Sequence, residues 1–326
     1  MPISASTSPV GKAGLRVPLV AFGSAPLATA PAWGGGEPIP EAQALSTLKY
    51  AFEQGITWFD SAPNYVRGLA ETRTGLVVGE LPRDQVVVAT KVGFDISGAT
   101  VRRDYSRDGV LRSLEGSLKR LRVDHIDLLY VHDPDEYAQE VLDKTFPVLA
   151  DLRAQGVIKA IGAGMNQWQV PLTFAEHADF DCFMIAGRWT LLEQGALPLL
   201  DVCYAKGIAV FAASIYNSGI LATGAAHPAA RYNHAPPPST VLERVRDIEQ
   251  LCAAYDIPLH TVATQFPFAH PAIKAVVVGF QTSSEVQACI NALQQSIPPL
   301  LWKTLQDSNF IVSEAPLPTR VFAHDQ

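Results

Sequence analysis

The sequence predicts an α/β fold in which eight parallel strands close into a (β/α)8 barrel. Eight short apolar runs recur along the 326 residues, and most lack polar alternation, which is typical of strands buried on both faces. Segments with helical periodicity separate these runs. Because strands and helices alternate through the whole chain, one parallel sheet is favoured, and eight units favour its closure. We therefore expect a single domain over residues 1–326 that ends in an irregular C-terminal tail, Asn309–Gln326.

The predicted strands follow one another at intervals that leave room for a helix or a loop. They are Pro18–Phe22, Thr57–Asp60, Val86–Lys91, Asp127–His132, Ile158–Gly162, Cys182–Ile185, Ile208–Ala212 and Ala275–Gly279. The clearest helix lies in Asp108–Arg122, where leucines recur at spacings of three and four. An open doubly wound sheet is the competing architecture. Its dinucleotide fingerprint, G-x-G-x-x-G, does not follow the first strand, so the barrel is preferred.

Charge and hydropathy exclude two classes of protein. The formal net charge of −7 argues against nucleic-acid binding, which usually requires a basic patch. No run of eighteen apolar residues occurs, which argues against a membrane span. The stretch from Val17 to Leu27 precedes an A-T-A sequence and imitates a signal peptide, but Pro18, Gly23 and Pro26 interrupt it.

The four cysteines are too far apart for a C-x-x-C pair. They are Cys182, Cys203, Cys252 and Cys289. Each lies in an apolar stretch, which predicts reduced core thiols and a cytoplasmic protein. No zinc signature is present, so no metal is expected, and the sequence does not indicate an oligomeric state.

Four titratable residues lie at or just after the C-terminal ends of predicted strands. They are Asp60, Tyr65, Lys91 and His132. A parallel barrel builds its active site at this end of its strands. Taken singly, an Asp at a strand end is more often a helix cap, and a His before Asp-Pro is typical of a turn. Together, an acid, a phenol, an amine and an imidazole predict proton transfer coupled to a cofactor.

The chemistry of this strand-end cluster (Asp60, Tyr65, Lys91 and His132) depends on the tyrosine. A phenol has a pKa near ~10, and lowering it by about three units takes roughly 4 kcal/mol of stabilisation of the phenolate. Lys91 is expected to supply much of that stabilisation, and Asp60 to keep the buried lysine charged. His132 is expected to hydrogen-bond the reacting oxygen and either orient it or share its proton. The remaining step, hydride transfer, requires a nicotinamide.

Three segments resemble the signatures of the aldo-keto reductase family, in the family's order. They are FDSAPNY (59–65), ATKVG (89–93) and VHDP (131–134). The resemblance extends from about Leu15 to Leu293, and it implies a (β/α)8 barrel and an NAD(P)-dependent oxidoreductase. The family's Asp, Tyr, Lys and His match the strand-end cluster. Segments 162–168, 186–192 and 214–219 further resemble a narrower group of sugar and pyridoxal dehydrogenases.

Departures from the family pattern bear on the cofactor. Many members place an Arg or Lys soon after the last strand, where it pairs with the 2′-phosphate of NADP. Segment 279–285 has no cation here and carries Glu285. A carboxylate near the ribose favours a free 2′-hydroxyl, so we expect NAD to be preferred, with NADP still possible. Two alternatives stay open: serines 283 and 284 cap the last helix, or Arg231 reaches a phosphate from its loop.

Cofactor contacts are carried over by position from the family. The family's stacking Tyr and amide-binding Gln align near Ala213 and Ala186, so Asn166 is expected to hold the carboxamide. The loop after strand seven is expected to hold the pyrophosphate, and Ser24 to add a contact after strand one. The expected cofactor-binding residues are Ser24, Asn166, Ser214, Asn217, Gly219, Gly279, Gln281, Thr282 and Ser284.

The expected reaction is oxidation of the C1 hydroxyl of an aldose to a lactone, with L-fucose, L-galactose and D-arabinose as the first sugars to test. Aromatic planes suit the C–H faces of a sugar, and arginine suits its hydroxyls. The candidate substrate contacts are Trp33, Arg67, Trp168, Trp189 and Tyr232. A core position is the alternative for both Trp168 and Trp189.

Other functions stay open at this point. Pyridoxal oxidation at its 4-position is the second candidate, and an NADPH-dependent general aldehyde reductase is the third. Some members of the family serve mainly as auxiliary subunits of potassium channels. That role requires a partner-binding surface, and nothing in the sequence beyond the barrel suggests one.

Overall fold

The computed structural model describes residues 7–12, 14–28, 39–228 and 230–319. Its centre is a closed barrel of eight parallel strands. The strands of the described chain are β1 (Thr7–Val10), β2 (Leu15–Pro18), β3 (Val20–Gly23), β4 (Trp58–Asp60), β5 (Val87–Val92), β6 (Phe94–Asp95), β7 (Arg102–Arg103), β8 (Ile126–His132), β9 (Ile158–Met165), β10 (Cys182–Ala186), β11 (Ala209–Ala213) and β12 (Ile273–Gly279).

Helices cover the outside of the barrel. The α-helices are α1 (Glu41–Glu53), α2 (Leu69–Val78), α3 (Arg107–Leu121), α4 (Ala138–Glu140), α5 (Phe146–Ala154), α6 (Gln169–His177), α7 (Leu197–Lys206), α8 (Ile220–Thr223), α9 (Ser239–Ala253), α10 (Leu259–Gln265), α11 (Ser283–Gln294) and α12 (Pro299–Asp307). Shorter 3-10 turns lie at Ala25–Ala28, Arg83–Gln85, Asp135–Tyr137, Asn217–Gly219 and Phe266–Ala269, and a π-turn lies at Val141–Thr145.

The predicted barrel is confirmed. The strands pair in the order β3-β4-β5-β8-β9-β10-β11-β12, and β12 closes on β3. Each of the eight predicted runs forms one barrel strand, with shifts of up to three residues at its ends. The first strand begins at Val20, later than expected, because Pro18 belongs to the preceding β2.

An antiparallel hairpin that was not predicted closes the N-terminal end of the barrel. Its strands β1 and β2 pair from Thr7↔Pro18 to Val10↔Leu15. Val10 and Val17 are buried with the side chains that fill the barrel interior, including Trp58 and Phe211. Those two rings pack edge to face, with their centroids 4.7 Å apart. With this end filled by apolar side chains, the barrel interior is open at the C-terminal ends of the strands.

The part of the C-terminal tail that the structure describes, up to residue 319, has no regular helix or strand after α12, and it is packed rather than loose. After α12, Ile311 and Ala315 are buried against the barrel's helices. Arg244 of α9 donates hydrogen bonds to the carbonyls of Asn309 and Phe310, at 3.3 Å and 2.9 Å. In the part of the chain that the structure describes, no helix is both long enough and apolar enough to cross a membrane.

Candidate active site

Lys91 lies at the centre of the strand-end cluster, at the mouth of the barrel. Parallel pairing of β4 with β5 places it beside Asp60. Its Nζ donates to Asp60 Oδ1 at 2.6 Å and to the carbonyl of Ser61 at 2.8 Å. The Lys91 side chain is 1% exposed and that of Asp60 is 3% exposed. Each charge therefore depends on the other for compensation.

Electrostatics within the cluster follow from this burial. Desolvation alone would lower the pKa of Lys91, but attraction by Asp60 and by Tyr65 outweighs it and raises that pKa. Burial raises the pKa of Asp60, and the Lys91 ammonium opposes the rise. The lysine therefore stays an ammonium ion at neutral pH, beside the tyrosine.

Tyr65 reaches Lys91 from the loop after β4. Its phenol hydrogen-bonds the Lys91 side chain, and Lys91 Nζ lies 5.0 Å from the ring centroid. Burial raises the pKa of Tyr65, and Lys91 is the strongest influence in the opposite direction. The expectation of a lowered tyrosine pKa is not met, because desolvation outweighs the attraction of the lysine. At neutral pH the phenol is protonated.

The loop that carries Tyr65 is fixed by its own backbone and by Arg67. Val66, Arg67 and Gly68 adopt positive φ angles of 47°, 52° and 86°. The Arg67 guanidinium donates to the carbonyls of Ile96 and Ala99, at 3.0 Å and 3.2 Å, and to that of Gly98. The loop after β4 is thus fastened to the segment after β6, and Tyr65 is held over the barrel.

His132 completes the cluster at the end of β8. Its ring lies 5.8 Å from the Tyr65 ring, at an interplanar angle of 86°, and it is 7% exposed. Burial first, and then the charges of Lys91 and Arg103, hold its pKa well below the usual value. A neutral imidazole can orient a reacting oxygen by a hydrogen bond, but it has no spare proton to share at neutral pH. Of the two roles considered for His132, the structure favours orientation.

A polar cleft of about 300 Å³ lies on the opposite side of the mouth, at the ends of β9, β10 and β11. Its lining residues are Asn166, Ala186, Gly187, Arg188, Ser214, Asn217, Ser218, Asn233 and His234. Three of the expected cofactor-binding residues, Asn166, Ser214 and Asn217, meet here. The cleft adjoins the strand-end cluster, since Gly164 of β9 approaches Lys91 two residues before Asn166.

Asn217 is the residue of the cleft that most clearly lacks an internal partner. It is 2% exposed, and both its amide nitrogen and its amide oxygen are without a hydrogen bond in the described structure. A buried amide left unpaired is costly, so a ligand that both donates and accepts is the fitting partner. Ser214, Asn217, Ser218 and Gly219 all have positive φ angles, and such strain is typical of binding loops. A carboxamide, such as that of a nicotinamide, has both a donor and an acceptor and fits these groups.

The remaining expected cofactor residues are satisfied within the protein. Ser24 is fully buried, its hydroxyl donates to the Ser61 hydroxyl at 2.8 Å, and its N–H donates to the carbonyl of Asp60. This geometry fits a residue that holds β3 to β4 rather than one that contacts a ligand. Exposed Gly279 lies against Pro26, so a side chain there would clash.

The loop after β12 caps the last barrel helix. Thr282 accepts from the Glu285 N–H at 3.2 Å, and the Glu285 carboxylate accepts from the Gln281 N–H at 2.6 Å. This reciprocal arrangement stabilises the start of α11. The Ser284 hydroxyl is hydrogen-bonded to that of Thr282 at 2.9 Å. The helix is capped, but by Thr282 and not by Ser283 or Ser284, which both lie in its first turn. The negative charge of Glu285 remains at this loop.

The candidate substrate residues that the structure describes lie in different environments. Trp33 lies outside the described residues, and Arg67 is engaged with backbone carbonyls as described above. Trp189 is fully buried, and its indole N–H donates to the carbonyl of Pro267 at 2.9 Å, so the core alternative fits it. Trp168 is half-buried against the core. Tyr232 is half-buried and donates to the Glu193 carboxylate.

Several polar residues of the mouth were missed by sequence reasoning. Asp133 follows His132, and Arg188 follows the end of β10 by two residues. The strand-end rule that found Lys91 would have found both. Glu71 is different, since it is fully buried in α2, where it accepts from Thr90 at 2.6 Å and pairs with Arg120. Glu71 thereby fixes the side chain of Thr90, the residue before Lys91. This contact is visible only in the folded structure, because the two residues lie on different elements.

Two further expectations concern metals and thiols. Among residues 7–12, 14–28, 39–228 and 230–319, no group of three or more His, Cys, Asp or Glu residues is arranged to hold a metal ion. The four cysteines are buried and free of disulfide bonds, as the apolar stretches around them predicted.

With the barrel and its strand-end cluster established, comparison with known proteins gives the family. The aldo/keto reductase family model matches residues 20–309, and the chain belongs to that family.

The relatives cover nearly the full length of the chain. A pyridoxal 4-dehydrogenase from Microbacterium luteolum is 32% identical over 93% of this chain and 97% of its own. A D-threo-aldose 1-dehydrogenase from a Pseudomonas species is 32% identical over 94% and 98%. Among solved structures, an aldo-keto reductase from Bacillus halodurans superposes with a TM-score of 0.77 at 22% identity, covering 93% of this chain and 95% of that one. The structural likeness supports the fold.

The buried ion pair makes a testable prediction about stability. Replacing Asp60 by Asn leaves the Lys91 ammonium buried without a counter-charge, which should cost on the order of 3 kcal/mol in the free energy of unfolding at pH 7. The pKa of Lys91 would then fall through desolvation. Because Lys91 in the variant then loses its proton on folding, the free energy of unfolding of the variant rises with pH. The difference in stability between Asp60→Asn and the wild type should therefore shrink toward pH 10.

Urea denaturation at pH 7 and pH 10 measures both effects. Asp84→Asn makes the same chemical change at an exposed position and should leave stability nearly unchanged at either pH. A deficit for Asp60→Asn that matches this control, or that is independent of pH, would contradict the assignment of a buried, charge-compensated lysine.

Proposed function

We propose that the protein is an NAD-dependent dehydrogenase that oxidises the C1 hydroxyl of an aldose to the lactone. L-fucose, L-galactose and D-arabinose are the first candidate substrates. The observation that carries the proposal is the Tyr65 phenol held on the Lys91 ammonium, beside a neutral His132. A polar cleft with the unpaired amide of Asn217 lies on the other side of the same mouth.

Each member of the cluster then has one role in proton transfer. As the phenolate, Tyr65 Oη accepts the proton of the sugar's C1 hydroxyl during oxidation, and as the phenol it returns that proton during reduction. Lys91 stabilises the phenolate, and Asp60 keeps Lys91 charged and in place. His132 donates a hydrogen bond that orients the reacting oxygen. When bound, NAD would supply the hydride acceptor for C1, and the products would be the lactone and NADH.

Asn166, Ser214 and Asn217 are the residues best placed to hold the cofactor, because they line the cleft. Their amide and hydroxyl groups supply both donors and acceptors. Arg188, in the same lining, adds a positive charge suited to a pyrophosphate. Gly219 has a φ of 105° and allows the strained turn that presents Asn217.

The loop after β12 supports NAD over NADP. In segment 279–285 the charged residue is Glu285, and its carboxylate is fixed on the Gln281 N–H. A fixed negative charge at this loop would repel a 2′-phosphate and tolerate a free hydroxyl. A preference for NAD in turn favours oxidation as the working direction.

Two alternatives rest on specific observations. Pyridoxal oxidation is supported by the 32% identity to the pyridoxal 4-dehydrogenase, which equals the identity to the aldose dehydrogenase. A general aldehyde reductase is supported by the raised pKa of Tyr65, because a protonated phenol is ready to act as an acid. The substrate assay below distinguishes sugar oxidation from pyridoxal oxidation, and the comparison of NAD with NADP that follows it tests the NADPH-dependent reductase.

Sugar oxidation should appear as NADH formation with L-fucose, L-galactose or D-arabinose, and Tyr65→Phe should reduce it by about 10³-fold or more, since the proton acceptor is lost. The variant should still bind NAD, which fluorescence titration measures. Tyr50→Phe, at a tyrosine outside the mouth that hydrogen-bonds Gln287, is the matched control. Faster turnover of pyridoxal than of every sugar would overturn the substrate, and substantial activity in Tyr65→Phe would overturn the role of Tyr65.

Cofactor preference should respond to charge at the loop after β12. Ser284→Arg introduces a cation at the exposed first turn of α11 and should raise kcat/KM with NADP by about tenfold or more, because a guanidinium pairs with the 2′-phosphate. Ser313→Arg makes the same change on the exposed tail and should have no effect. A wild-type enzyme that already works tenfold better with NADP would refute the NAD preference.

A further inference from the structure

Asp133 is a carboxylate at the barrel mouth for which the proposed proton transfer has no use. It follows His132 directly, and its Oδ2 lies 3.8 Å from His132 Nε2. That distance is too long for a hydrogen bond. Among the described residues, no donor is hydrogen-bonded to either carboxylate oxygen of Asp133. Its side chain is 23% exposed, so it is open to a ligand in the mouth.

The backbone of Asp133 is held in a strained conformation from several sides. Its φ is 44°, a left-handed value that costs energy for a residue other than glycine. Its N–H donates to the carbonyl of Gly164 at 2.9 Å. Its carbonyl accepts from the Tyr105 hydroxyl at 2.8 Å and from the Arg103 guanidinium. These contacts fix the direction in which the carboxylate leaves the main chain.

The surroundings of Asp133 disfavour its charge without removing it. Burial and the neighbouring Asp135 raise the pKa of Asp133 to about 6, against the opposing charges of Arg103 and Lys91. Above that pH it is ionised, partly desolvated and without a bonded donor. A group in this condition is relieved by a ligand that donates a hydrogen bond to it.

We propose that Asp133 determines specificity by accepting a hydrogen bond from a hydroxyl on the carbon next to the reacting carbon. This rests on the proposed function, in which His132 contacts the reacting oxygen. Oxygens on adjacent carbons are separated by a distance comparable to that between His132 Nε2 and Asp133 Oδ2. The ligand class is therefore a 2-hydroxy aldehyde or an aldose, whose C2 hydroxyl is adjacent to C1. Asp133 binds and selects this hydroxyl and takes no proton from the reacting oxygen.

Two variants test Asp133 without straining the fold. Asp133→Gly removes the carboxylate, and glycine adopts a positive φ freely. Asp133→Asn keeps the shape and one neutral acceptor, and Asn also tolerates this φ. The matched control is Glu136→Gln, which removes an acidic charge from an exposed residue of the same segment. Thermal melting checks that all three proteins are folded.

The measurement compares two substrate pairs that differ by one hydroxyl. The first pair is 2-hydroxypropanal and propanal, reduced with NADH, and the second is L-fucose and 2-deoxy-L-fucose, oxidised with NAD. The wild type should favour the hydroxylated member in kcat/KM by about 10- to 100-fold, the range for a hydrogen bond to a charged group. Asp133→Gly should bring the ratio close to unity, because kcat/KM falls more for the hydroxylated member of each pair than for the other member. Asp133→Asn should lie between them, and Glu136→Gln should match the wild type.

Three outcomes would overturn the proposal. One is a wild type that does not discriminate within either pair, and another is a ratio that Asp133→Gly leaves unchanged. The third is an equal loss for every substrate together with a shifted pH profile, which would make Asp133 a positioning residue for His132. If the wild type reduces both aldehydes but oxidises no sugar, sugar oxidation fails as the function, and the aldehyde ratio still decides the role of Asp133.

Discussion

The buried ion pair between Lys91 and Asp60 is the constraint on which the rest of the site depends. A charged lysine that is 1% exposed is tolerated only because the carboxylate lies 2.6 Å away. The barrel supplies that proximity, since adjacent parallel strands deliver both side chains to the same edge. The hairpin at the opposite end fills the interior with apolar side chains, so the interior is open at the mouth that carries the cluster.

Burial has a second consequence, which is the protonation state of the cluster. It raises the pKa of Tyr65 and lowers that of His132. At neutral pH the site therefore presents a protonated phenol, an ammonium and a neutral imidazole. This combination donates a proton readily, and it accepts one more readily as the pH rises. Lys91 limits the rise in the tyrosine pKa, and the pH at which Tyr65 can accept a proton depends on how far it does so.

Much of the fold and part of the site could be predicted from the sequence, for identifiable reasons. The eight strands are continuous apolar runs, and Lys91 and His132 each end one. Other features depend on packing that no local pattern records. The core position of Trp189 is one, and the net direction of the Tyr65 pKa is another, because burial and attraction oppose each other. The unpaired amide of Asn217 likewise appears only once its neighbours are in place.

The pH dependence of kcat/KM for oxidation, in the wild type and in Lys91→Met, tests most directly whether Lys91 governs Tyr65. Lys91 is the strongest influence lowering the tyrosine pKa, so its loss should move the rise in activity to higher pH by about one to three units. Lys91→Arg retains the charge and should move it less. Superimposable pH profiles for the wild type and Lys91→Met would contradict the account.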